Sequence, residues 1–222
     1  MSTVTRINLW GFVNAYLVRE DDGLTLLDTM LPQGAKKILA AAAELDAPIT
    51  RIALTHAHGD HIGSLGAVKQ AFPDAEVVIG TREARLLQKD KTLEPGEPQS
   101  KVKGDYRGAR TKPTRTLEPG DHVGSLLVVA SPGHTPGHVA YLDERERMLF
   151  CGDTFSTLGG VATSARLNPR FPLILMGTWN RPLVLESARS LRALEPASLA
   201  PGHGKIVSSP LAAMDAAIAR AS

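Results

Sequence analysis

Thr55-His56-Ala57-His58-Gly59-Asp60-His61, directly after the apolar run Ile52-Ala53-Leu54, decides the reading of this chain. Three of its seven histidines and an aspartate fall between positions 56 and 61, and both side chains are ligands for borderline divalent metals such as Zn2+. Positions 56 and 58 are two apart, so on an extended segment leaving a strand their imidazoles point the same way. On a helix they would diverge. The spacing therefore predicts two metal ions, one faced by His56 and His58 and another towards which Asp60 and His61 turn.

Working outward, three more candidate donors stand in turn-like settings after β-rich apolar runs. They are His134 in Ser131-Pro132-Gly133-His134, Asp153 in Cys151-Gly152-Asp153-Thr154, and His203 in Pro201-Gly202-His203-Gly204. Gly or Pro beside each lets a side chain sit at the rim of a sheet without surrounding bulk. Six or seven nitrogen and oxygen donors on one rim suit a two-metal centre, in which a carboxylate with two oxygens spans both ions.

Periodicity predicts a meander of strands over residues 6–12, 14–18 and 24–28, a helix over 34–45, and a strand over 51–54 that delivers the histidine cluster. A helix over 62–72 begins immediately after it, then a strand over 77–79 and a helix over 82–88. Residues 89–114 lose all periodicity and read as a long loop. Strands follow over 126–130, 139–142 and 148–150, then an irregular segment 154–180, a helix over 181–194, a strand over 198–200 and a last helix over 210–221. Strand runs fall in two halves, each followed by helices. This predicts an α+β domain over residues 1–222, with two sheets packed face to face and helices outside, rather than a doubly wound parallel sheet.

A net charge of +2, 43% apolar and 22% charged residues describe an ordinary globular chain. Such a charge gives no reason to expect a nucleic-acid partner; the one basic run, Lys101, Lys103, Arg107, Arg110, Lys112 and Arg115, reads as a solvated loop. No apolar stretch approaches ~18 residues and the start lacks a leader-like pattern, so no membrane partner is expected. A lone cysteine, Cys151, excludes an internal disulfide and fits the cytoplasm; it reads as an inert buried thiol rather than a metal ligand.

As a set, these motifs resemble the metallo-β-lactamase-fold hydrolase superfamily over nearly the whole chain. The superfamily's H-x-H-x-D-H signature stands intact at 56–61, its later histidine matches His134 in Pro132-Gly133-His134-Thr135-Pro136-Gly137-His138, its bridging aspartate matches Asp153, and its last histidine matches His203. The resemblance implies a four-layer αββα sandwich with the site at one edge. It implies one metal on His56, His58, His134 and Asp153 and a second on Asp60, His61, Asp153 and His203, both most often Zn2+, with Fe or Mn suited to the same donors. It further implies a hydroxide shared by the two ions as nucleophile, with Asp60 as the catalytic residue that orients it and passes its proton to the leaving group. Asp28 matches a buried aspartate that organises the metal loop. His138 is surplus to the metal set and is expected to hydrogen-bond behind the ligands.

Departures from known subfamilies narrow the chemistry. The dominant di-zinc β-lactamases carry cysteine where Asp153 stands, glyoxalase II enzymes add a C-terminal helical domain whereas about twenty residues follow His203, and lactonases carry a tyrosine after the bridging aspartate, which this chain lacks. The expectation is a binuclear hydrolase of a small ester, lactone or thioester. An iron-dependent dioxygenase of the persulfide dioxygenase kind and a phosphodiesterase are the alternatives; a non-catalytic binding protein fits least, because no ligand is lost. The apolar run containing Phe171, Ile174 and Met176, with Trp179 beyond it, reads as a substrate-pocket wall, a homodimer interface or plain core.

Overall fold

The structure, a computed structural model, describes residues 3–222. β1 (Val4–Leu9), β2 (Val13–Glu20) and β3 (Gly23–Leu27) form the antiparallel meander, to which β4 (Ile49–Leu54), β5 (Glu76–Gly80) and β6 (Arg115–Leu117) add in parallel. A second sheet takes up β7 (His122–Val123), β8 (Leu126–Ala130), β9 (Val139–Asp143) and β10 (Met148–Gly152). The small hairpin of β11 (Phe155–Ser156) and β12 (Ala162–Thr163) follows, and the chain then returns as β13 (Ser198–Pro201) and β14 (Val207–Ser208) to complete the order β14-β13-β10-β9-β8-β7.

Alternation along the strands sorts the apolar residues into three cores. Leu27, Ala53 and Val78 face Val128, Tyr141 and Phe150 between the sheets. Their strand neighbours Leu26, Ile52, Leu54, Val77 and Ile79 face outward onto Ile38 and Ala42 of α1 (Ala35–Glu44) and, past the short α2 (Gly59–Ile62), onto Leu65 and Val68 of α3 (Leu65–Ala71) and Leu86 and Leu87 of α4 (Thr81–Leu87). On the far side Leu142, Leu149 and Cys151 meet Ala188 and Leu191 of α6 (Arg181–Ala193) and Met214 and Ala217 of α7 (Leu211–Ala221), with the one-turn α5 (Leu173–Gly177) preceding them in the chain. The layers are thus helix, sheet, sheet, helix, as the two-halves pattern predicts. Among the described residues no helix is long and apolar enough to cross a membrane.

Local departures from the expected elements have identifiable causes. The first strand stops at Leu9 instead of running to 12, because Trp10 and Gly11 adopt left-handed backbone at φ 56° and 73° and turn the chain, with the Gly11 N–H donating to Asn8 Oδ1 at 2.6 Å. The helix expected over 62–72 begins earlier, at Gly59, and breaks before Leu65. Ser64 Oγ donates to the Leu31 carbonyl at 2.6 Å, and a Cβ on Gly63 would lie 2.6 Å from Pro32, so the chain is pinned there to the 30–32 segment. Residues 89–114 hold neither helix nor strand, whereas the segment read as irregular over 154–180 contains β11, β12 and α5.

Candidate metal centre

Each candidate donor stands at or just beyond the C-terminal end of a strand. His56 and His58 leave β4, Asp60 and His61 occupy the first turn of α2, His134 lies in the turn after β8, Asp153 follows β10 and His203 follows β13. The two sheets therefore contribute opposite walls of one edge site. His56 Nε2 lies 3.1 Å and His134 Nε2 3.0 Å from His58 Nδ1. Nearby, His203 Nε2 lies 3.4 Å from Asp60 Oδ2 and 3.3 Å from Asp153 Oδ2. Asp153 stands between these groups, with Oδ2 3.3 Å from His134 Nε2 and Oδ1 3.5 Å from His61 Nε2. His56, His58 and His134 converge as one group that could hold an ion, Asp60, His61 and His203 as another, and His56, His61 and Asp153 connect them.

The outward nitrogen of every one of these five imidazoles meets an acceptor. His61 Nδ1–H donates to Asp28 at 2.8 Å, His203 Nδ1–H to the Phe12 carbonyl at 2.9 Å, and His58 Nε2–H to the Lys103 carbonyl at 3.2 Å. Thr55 Oγ1 gives its own proton to Asp28 and so accepts from His56 Nδ1; Thr178 Oγ1 gives its proton to the Ile174 carbonyl and so accepts from His134 Nδ1. This network fixes which nitrogen of each ring turns inward, and in the neutral ring that inward nitrogen carries the lone pair. Lone pairs 3.0–3.1 Å apart with no proton between them repel, and a shared cation resolves the repulsion. His61 Nε2 and Asp153 Oδ1 are also buried without any hydrogen-bond partner, and a cation held by both would satisfy them.

Electrostatics divides the cluster. Burial, reinforced by neighbouring imidazoles, holds His56 and His134 far below the usual histidine range and leaves His58 below it, the neutral state a ligand requires. Burial would lower His61 and His203 as well, but Asp153, with Asp28 and Asp60 for His61 and Asp60 for His203, pushes them up to about 9 and about 10. A cation bound there takes the place of those protons. Burial would raise the carboxyls of Asp60 and Asp153, yet the facing His61 and His203 outweigh it and keep both below the usual carboxylate range.

Behind these groups lies a supporting frame. Asp28, at φ 56°, accepts from the Thr55 N–H and hydroxyl and from His61, each at 2.8 Å. His138 Nε2 accepts from the Asp153 N–H at 3.1 Å, and burial pushes its pKa down to about 3, so it stands behind Asp153 as a neutral acceptor, its ring 5.1 Å from that of His56. A Cβ on Gly202 would lie 2.5 Å from Asp153 Oδ1, and one on Gly104 would overlap His58 Nε2, so only glycine lets these loops close on the donors. Sequence reasoning missed Glu83, fully buried at the start of α4: Oε1 accepts from the Ala57 N–H at 2.8 Å, Oε2 from Thr135 Oγ1 at 2.8 Å and the Gly137 N–H at 3.0 Å. Burial raises its carboxyl to about 7 despite these three donors. An acidic residue on a helical stretch carries no local sign of such a role.

A cavity of about 240 Å³ opens over Asp60, Asp153 and His203. Phe171, Ile174 and Met176 line it with Leu173 of the same apolar run, joined by Phe12, which the sequence reading did not include. Trp179 lies elsewhere: it is buried in the core beneath the first sheet's helices and donates Nε1–H to the Ser100 carbonyl at 2.8 Å. Cys151 is likewise remote, its side chain on the outer face of the second sheet, where burial raises the thiol pKa and keeps it inert.

Residues 8–203 match the family model of the metallo-beta-lactamase superfamily. YobT, an uncharacterized protein of Bacillus subtilis (strain 168), is 44% identical over 94% of this chain and 90% of its own length. A hydroxyacylglutathione hydrolase of Aeromonas salmonicida (strain A449) is 31% identical over 70% of this chain, which spans only 52% of that enzyme. Among solved structures, TTHA1623 in a di-iron-bound form superposes with a TM-score of 0.67 at 28% identity, covering 93% of this chain and 96% of that one.

Proposed function

The chain belongs to the metallo-β-lactamase superfamily, and from that premise we propose that it is a dinuclear metal-dependent hydrolase of a small ester, lactone or thioester. The observation that carries this reading is the set of five inward-facing imidazole nitrogens converging on Asp60 and Asp153. In this reading His56, His58, His134 and Asp153 hold one ion, and Asp60, His61, Asp153 and His203 the other. Two divalent ions bound there supply Lewis acidity, lowering the pKa of water and polarising a carbonyl oxygen.

The chain's own residues do the rest. Asp60 reaches into the cavity with its carboxylate ionised, placed to orient the attacking water and to take its proton. Water oxygen bonds to the acyl carbon, the carbon–oxygen or carbon–sulfur bond breaks, and Asp60 hands the proton to the departing alcohol or thiol. Asp28 and His138 fix the orientation of His61 and Asp153, so the donors need little rearrangement on binding ions. Donors limited to imidazole and carboxylate accept zinc, iron or manganese, and zinc is our assignment. The single buried cysteine supports a cytoplasmic setting.

Metal analysis of the purified protein, paired with assays on ester, lactone and thioester substrates, tests the proposal. Two equivalents of divalent metal per chain are expected, with hydrolysis lost on chelation and restored on adding zinc. One iron per chain, together with oxygen consumption, would instead assign an iron-dependent dioxygenase.

A further inference from the structure

We propose that this site takes uncharged substrates with an apolar flank beside the scissile bond and disfavours those carrying a carboxylate or phosphate there, a reading that rests on the hydrolase assignment above. Beyond the donor residues, the cavity wall consists of Phe12, Phe171, Leu173, Ile174 and Met176, with Asp105 as the additional charged side chain. Phe12 and Phe171 meet edge to face at 5.3 Å and each packs on His203, at 4.9 and 4.7 Å, so the aromatic wall begins at the donor cluster itself. Leu173 and Met176 leave 55% and 68% of their surface in water, side by side at the mouth of the same cavity. Such a contiguous apolar patch is stabilised when a ligand's apolar flank covers it.

No lysine or arginine lines this cavity among the described residues. Of the nearby basic residues, Arg107 is held at the cavity's edge by Asp105, its Nε 2.5 Å from the carboxylate, and Arg115 Nε binds Glu76 at 2.8 Å away from the cavity. An anionic group on the substrate's flank would give up its hydration for an apolar wall, where the guanidinium at the edge is already taken by Asp105. Glutathione thioesters carry such groups.

A matched pair of esters tests this: 4-nitrophenyl butyrate and the monoester 4-nitrophenyl succinate share a scissile bond and differ by a terminal carboxylate. For the zinc-loaded protein, kcat/KM is expected to be about tenfold or more higher for the butyrate, the scale on which one unmatched polar group discriminates. Met176→Lys, which adds a cation to the wall, is expected to shift the ratio towards the succinate with metal content unchanged. An equal or reversed preference in the parent protein, or a ratio unmoved by Met176→Lys, would overturn the proposal. Calorimetric binding of butyramide and succinamate reads the same preference without turnover; absence of hydrolysis with the binding order intact would remove the hydrolase reading and leave the charge preference standing.

A separate observation concerns Glu83. We infer that it is a positioning residue for the His56, His58 and His134 group alone. Its two oxygens hold Ala57, which sits between His56 and His58, and Thr135 and Gly137, which follow His134. Asp28, by contrast, touches His61 directly and reaches His56 through Thr55, so it is shared between the halves while Glu83 serves one. In Glu83→Gln an amide N–H meets a hydrogen-bond donor in place of a carboxylate oxygen. The expected result is a 10–100-fold weaker affinity for one of two cobalt equivalents, with the visible spectrum of the other unchanged. Equal weakening of both equivalents, or of neither, would overturn the inference. Should that variant fail to fold, Thr135→Val removes one donor to Glu83 and is expected to weaken the same equivalent; no effect on it would count equally against the inference.

Discussion

Asp153→Ala is expected to cost the protein both metal equivalents at once and to reduce hydrolysis by about 10²–10⁴-fold, the rate equivalent of several kcal/mol of Lewis-acid stabilisation. Asp153 alone among the carboxylates faces both groups: Oδ2 lies 3.3 Å from His134 and from His203, and Oδ1 3.5 Å from His61. Alanine leaves His61 and His203 without the carboxylate that contributes most to their high affinity for a positive charge. Elemental analysis after dialysis gives the direct reading. Retention of two tightly held ions would show that the imidazoles and Asp60 suffice, and the bridging role would be lost.

Asp60→Asn produces a different signature. Asn keeps an oxygen near His203 but cannot accept a proton, so kcat is expected to fall about 10²–10⁴-fold while KM changes little. The side chain of Asp60 is 28% exposed, against 5% for Asp153, and it borders the cavity, which places it where a substrate and its attacking water meet. Steady-state kinetics with metal content measured on the same samples separates the two effects. A variant with full turnover would exclude Asp60 from proton transfer; one whose lost activity tracks lost metal would make it a ligand only.

The sandwich was legible because its signal is local. Alternation in Leu26-Leu27, Ile52-Ala53-Leu54 and Val77-Val78-Ile79 places successive side chains on opposite faces of a sheet, and the helical spacing of Ile38 and Ala42 places them on one face of α1. Strand and helix ends were less legible. The early stop of β1 depends on left-handed backbone at Trp10, a residue type that gives no sign of it, and the break before α3 depends on contacts of Gly63 and Ser64 with residues about thirty positions earlier.

At the site, the donors could be read from residue type and spacing, since few residues bind metals and they cluster beside glycine and proline. The frame behind them could not. Glu83, Thr178, the Lys103 carbonyl and the Phe12 carbonyl act through hydrogen bonds to residues 26 to 191 positions away, which no periodicity records. The cavity wall shows the same division: Phe171, Ile174 and Met176 lie on it, while the nearby Trp179 turns into the core, because α5 ends between them and redirects the chain.

By itself, then, the sequence determined the layered architecture and the imidazoles and carboxylates that could donate to a metal, for both follow from the short-range periodicity of side chains and the chemistry of those groups. The tertiary structure alone decided which nitrogen of each histidine faces inward, which donors each buried carboxylate supports, and which side chains stand over the centre. Those outcomes depend on hydrogen bonds and packing between strands of two different sheets, and such contacts exist only once the chain has closed on itself.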